Sequence, residues 1–209
     1  MNDLLNIEKP GLGSDPAVQS YRILRAIHER RAIRSFRPEA VPERLIRDLL
    51  AAAVCAPSAM RMEPWGFAVV QDKATLQRYS DRAKAALLKT GLAGLGLKEE
   101  YVATLENPSY NIFYDASTLI VICRRTAGSF ADADCWLAAE NVMLAAPGLG
   151  LGTCCIGFAL AVLSAPDIKH ELCIPDEGAA VAPIIVGFPS GTTKRVARRP
   201  PEILRWIPG

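Results

Sequence analysis

The chain has 209 residues, half of them hydrophobic, and carries a formal net charge of +2. That length suffices for one domain with a sizeable core, and the high apolar content predicts extensive contact between subunits. The small charge excludes the strongly basic composition of a nucleic-acid or acidic-membrane binder, and no apolar run reaches the roughly 18 residues of a membrane span.

The first 15 residues are polar and lack a signal-peptide pattern, so the expected location is cytoplasmic. Over 16–29, Val18, Tyr21, Ile23, Leu24 and Ile27 recur at helical spacing, and an extended stretch through Phe36 follows. Pro42 opens a second helix whose stripe is Ile46, Leu49, Leu50 and Ala53, and which stops before Pro57. Residues 66–70 read as a strand and 72–88 as a polar helix, while 91–110 has weak periodicity and reads as a loop with short helices. The continuous apolar run 117–123 predicts a central strand. A broadly apolar helix over 130–146 ends at Gly148 and Gly150, followed by a strand over 151–156, a helix over 160–172 and a strand over 180–187. Four or five strands without strict βαβ alternation predict an α+β fold.

Four segments could carry chemistry. Arg30, Arg31 and Arg34 place three guanidinium groups within five residues. They suit a phosphate, or else form a solvated helix end that complements the macrodipole. The turn from Cys55 to Trp65 holds Pro57, Ser58, Ala59, Arg61 and Pro64; its small residues and free N–H groups could meet a flat ligand, or it could be a surface loop. Gly148, Gly150 and Gly152 mimic a dinucleotide fingerprint, which requires a strand before the glycines and a helix after them. Here the order is reversed, so the run reads as a helix cap leading into a strand. The fourth segment is Gly187-Phe188-Pro189 followed by Lys194, Arg195, Arg198 and Arg199, either half of a phosphate site or an ordinary charged tail. The six cysteines lack CxxC spacing and read as small core residues, and two histidines offer little to a zinc site.

In order and spacing these segments resemble the nitroreductase family of FMN-dependent enzymes. The matching stretches are 30–36, 56–65, 141–153 and 187–199. The resemblance implies a homodimer with a mixed, mainly antiparallel sheet flanked by helices and FMN at the subunit interface. It implies an arm and helix start over 1–22, an FMN-binding domain over 23–190, and a basic tail over 191–209 that completes the flavin site. Arg30, with Arg198 and Lys194 or Arg199, would hold the phosphate. Arg31 and Ala32 would lie along the same segment, and Arg34 near the phosphate, ribityl chain or pyrimidine edge. Pro57, Ser58, Ala59 and Arg61 would approach from the other subunit, and Ile156 with Gly157 would border the reactive edge. The implied activity is ping-pong hydride transfer from NADH or NADPH through FMN to a nitro compound, quinone or other conjugated acceptor, with no required catalytic side chain. The sequence departs from the family pattern at Ala32, Arg61 and Glu63, where Ser, Asn and Gln are usual. A non-catalytic flavin-storage protein and a polyanion-binding module using the Arg clusters are the competing readings.

Overall fold

The computed structural model describes residues 16–90, 100–193 and 197–209. Its frame is a four-stranded antiparallel sheet in the order β1-β2-β4-β3, with β1 at Trp65–Val70, β2 at Thr118–Arg124, β3 at Gly152–Cys155 and β4 at Ala179–Gly187. The central pair are the two most apolar strands, because helices cover both of their faces. Leu119, Val121 and Cys123 of β2 enter one core with Leu76, Tyr79 and Ala83, while Ile120 and Ile122 enter the other with Leu49, Ala138 and Val142.

On the first face lie α3 (Lys73–Thr90), α4 (Glu100–Glu106), α6 (Leu160–Leu163) and α7 (Pro166–Glu171). On the second lie α2 (Glu43–Ala53) and α5 (Ala131–Ala145), whose stripes Ile46/Leu49/Ala53 and Cys135/Ala138/Val142 pack together against the sheet. The first helix, α1, spans Pro16–Glu29 and leaves Ile23, Leu24 and Ile27 at least half exposed.

Two expectations need correction. The single helix over 160–172 is two short ones, because Ala165 adopts the extended backbone favoured before proline and Pro166 starts α7 afresh. The cysteines divide: Cys123, Cys135 and Cys154 are buried, Cys155 is partly so, and Cys55 and Cys173 are exposed after helix ends. Apolar neighbours in sequence do not bury a residue that falls past a helix terminus. Burial, with smaller contributions from Cys123 and nearby acids, pushes the Cys135 thiol up to about 12. In the native chain a disulfide-exchange reagent should therefore modify Cys55 and Cys173 rapidly and leave Cys135 untouched until unfolding. Peptide mapping of the labelled thiols checks this, and prompt native labelling of Cys135 would contradict the burial.

Of the 91–110 excursion, 91–99 lie outside the described residues, as does the arm through residue 15. The glycine run behaves as read: α5 precedes it, Gly148 falls in a 3₁₀ turn at Ala146–Leu149, Gly150 takes the left-handed cap at φ 72°, and β3 begins at Gly152.

Candidate functional site

Three of the four segments meet at the β3 edge. Ile33 N–H donates to the Thr153 carbonyl at 2.9 Å, Arg37 N–H to Phe188 at 2.8 Å, and Ser190 N–H to Ser35 at 2.9 Å, while Ala32 bridges Thr153 in parallel. The stretch 32–37 thus continues the sheet past its edge strand. Two glycines admit it. A Cβ on Gly152 would stand 2.7 Å from Ile33 Cγ1, and one on Gly187 2.7 Å from Phe36 Cδ1. These glycines make room for the neighbouring chain, because neither has a positive φ.

Arg34 lines a cleft of about 470 Å³ with Tyr101, Tyr110, Tyr114, Cys154, Ile156 and Gly157. That volume lies within the range of about 300–1,000 Å³ usual for ligand sites. Its guanidinium lies 5.8 Å from the centre of the Tyr114 ring and has no carboxylate partner among the described residues. Tyr110 meets Tyr114 edge to face and donates a 3.2 Å hydrogen bond to its hydroxyl. Burial, and then this bond, push the Tyr110 hydroxyl above the ordinary phenol range against the opposing pull of Arg34, so it remains a donor at neutral pH. Burial also raises the Cys154 thiol, again opposed by Arg34. A Cβ on Gly157 would meet nothing within 4 Å, so the exposed backbone there faces open space.

Arg30 lines a second cleft of about 330 Å³ with Met143, Gly150 and Thr153. Its Nε lies 3.5 Å from Glu140 of α5. Arg31 folds back, donating to the carbonyls of His28 at 2.7 Å and Arg30 at 2.6 Å, and so caps the end of α1. Arg198 and Arg199 are exposed in the tail without a partner among the described residues, and Lys194 lies outside those residues.

The 55–65 turn is elsewhere. It leads into Trp65 of β1, at the opposite edge of the sheet and at the end where Trp65, Arg124 and Ala179 align, whereas the Arg segment lies where Gly152 and Gly187 align. Strand spacing and rise separate these corners by roughly 14 Å across the sheet and 25 Å along it. One chain therefore does not join Pro57, Ser58, Ala59 and Arg61 to Arg30 and Arg34. The turn's N–H groups are also less free than expected: Ala59 N–H is taken by the Asp134 carboxylate, and the Ser58 hydroxyl accepts from Glu63 N–H at 3.1 Å.

Sequence reasoning missed Glu140, Asp134 and the tyrosines. Asp134 looks like an ordinary acid of a helix's first turn, and Glu140 like a solvated helix residue. The four-residue spacing of Tyr110 and Tyr114 was visible but sits in a stretch without periodicity.

The sequence profile described as the Nitroreductase family matches residues 27–188. The chloronitrobenzene nitroreductase of Comamonas testosteroni is 29% identical over 199 residues, covering 78% of this chain and 84% of that protein. A nitroreductase with bound FMN from Desulfitobacterium hafniense DCB-2 superposes with a TM-score of 0.72 at 26% identity, over 85% of this chain and 94% of the other. Another from Bacteroides fragilis NCTC 9343, also with bound FMN, gives a TM-score of 0.76 at 24% identity, over 88% and 98% of the two chains.

Proposed function

Since this chain belongs to the nitroreductase family, we propose that it is an FMN-dependent oxidoreductase that takes hydride from NADH or NADPH and reduces a nitro compound, a quinone or another conjugated acceptor. The observation that carries the reading is the cleft in which Arg34, lacking a carboxylate among the described residues, stands beside Ile156 and the open backbone of Gly157. A flat ring fits against a backbone with no side chain in the way. When bound, FMN supplies a ring that accepts a hydride from the nicotinamide and releases it to the acceptor in a separate half-reaction.

The chain's own residues supply position and charge. Arg30 would hold the phosphate, joined by Arg198 and by Lys194 or Arg199 of the tail, and Arg34 would stabilise negative charge at the pyrimidine edge. Arg31 and Ala32 contribute through the backbone of the same segment, where the side chain of Ala32 cannot add the hydrogen bond a serine would. Residues 23–190 would form the FMN-binding domain and 191–209 a tail that completes it.

The active form is proposed to be a homodimer. Pro57, Ser58, Ala59 and Arg61 lie at the far corner of the sheet from Arg30 and Arg34, so a second copy is needed to bring the turn to the cleft. Exposed apolar side chains support this: Ile23 and Leu24 of α1, Trp136 and Leu137 of α5, and Leu204 and Trp206 of the tail. The cytoplasm is the proposed location; among the described residues no helix is long and apolar enough to cross a membrane.

The purified protein should be yellow, and its flavin absorption should bleach when NADH or NADPH is added without oxygen and return when an acceptor is supplied. Bound flavin that neither nicotinamide bleaches would leave the storage reading in its place.

A further inference from the structure

The turn 57–63 needs an external anchor. Met60, Arg61 and Glu63 hold φ of 51°, 57° and 44°, the left-handed region that side-chain-bearing residues seldom occupy. Met60 and Met62 are 84% and 65% exposed, so packing does little to hold the loop. What reaches it from outside is Asp134 in the first turn of α5. Both carboxylate oxygens lie 3.2 Å from Ala59 N, sharing its hydrogen. The carboxylate is 4% exposed, and no cation pairs with it among the described residues. A buried anion satisfied by one backbone donor and the positive end of a helix is a costly arrangement for stability alone.

We propose that Asp134 is a positioning residue for the cofactor: it fixes the backbone of Ser58 and Ala59 in the conformation that meets the flavin across the subunit interface. The inference rests on the reading of that turn as a flavin contact. It assigns Asp134 no contact with the ring. Its function is to accept the Ala59 hydrogen, so that the loop is already shaped when the cofactor arrives and loses little freedom on binding.

Asp134→Asn keeps an acceptor oxygen, whereas Asp134→Leu removes it and replaces a buried charge with an apolar group of similar size. Titration of each apoprotein with FMN, followed by flavin fluorescence, should leave D134N within about threefold of the unaltered protein and weaken D134L by about tenfold or more, the loss of one charge-assisted hydrogen bond. Thermal unfolding of the D134L apoprotein should occur no lower than that of the unaltered one, since an apolar group replaces an anion without a cation. A purely structural residue would lose stability and affinity together, and that result overturns the proposal. So does D134L affinity equal to the unaltered protein's, or D134N as weak as D134L. Should D134L not fold, Asp134→Ala removes the same acceptor while leaving every proposed flavin contact in place. A tenfold loss there supports the proposal and an unchanged affinity overturns it. If the unaltered protein itself binds no FMN, the flavin reading fails first, and the role given to Asp134 falls with it.

Discussion

Replacing Arg30 by alanine is expected to weaken FMN binding by about 10- to 100-fold. A hydrogen bond to a charged group contributes about 1.5–3 kcal/mol, and each 1.4 kcal/mol is a factor of ten in affinity. Arg30 is better placed than the proposed phosphate ligands of the tail. Its side chain is 23% exposed, in a cleft beside Thr153, where water screens it less than an exposed residue. Arg198 is fully in the tail and exposed, so Arg198→Ala should cost less, and its effect should shrink as salt is raised. Glu140 sets the sign of a control. Its carboxylate, 3.5 Å from Arg30 Nε, competes with a phosphate for the same guanidinium, so Glu140→Gln should tighten FMN binding or leave it unchanged. Fluorescence titration of the three apoproteins measures all of this. Unaltered affinity in both arginine variants would remove the phosphate clamp.

A methyl group at Gly152 should have a comparable effect by a different route. A Cβ there would stand 2.7–2.9 Å from three atoms of Ile33, closer than carbon atoms approach, and Gly152 is buried in β3. Either Ile33 or the whole stretch 32–37 must move away from the strand. Overpacking of this kind costs about 1–3 kcal/mol, and in a chain of this size each kcal/mol lowers Tm by about 2–4 °C. Gly152→Ala is therefore expected to melt roughly 2–12 °C lower. Because Arg34 is carried by the displaced stretch and Arg30 stands two residues before it, the variant should also lose FMN. Ile33→Ala in the same chain makes room for the new methyl. Partial recovery of Tm in the double variant would show that the clash itself causes the loss, and a deficit that simply adds would not.

Elements whose patterns are local were legible in the sequence. The stripe Ile46, Leu49 and Ala53 identified α2, and the run through Ile120 and Ile122 identified a central strand, since each depends only on which neighbours are apolar. The break at Pro166 was legible in principle, for the proline stands in view, but the apolar spacing on either side concealed it. The site was legible in part. The arginine segment, the glycine run before β3 and the residues after β4 were each singled out, and the structure brings them to one edge through contacts such as Ile33 to Thr153. Pairings across 120 residues leave no periodic trace. For the same reason no local signal tied Asp134 to Ala59, or revealed that the turn lies at the opposite corner from the arginines.

That diagonal has a thermodynamic consequence. If neither corner alone makes a complete pocket, cofactor occupancy and chain pairing are one linked equilibrium. Dilution would release flavin, added flavin would lower the concentration at which chains pair, and the melting temperature would depend on both.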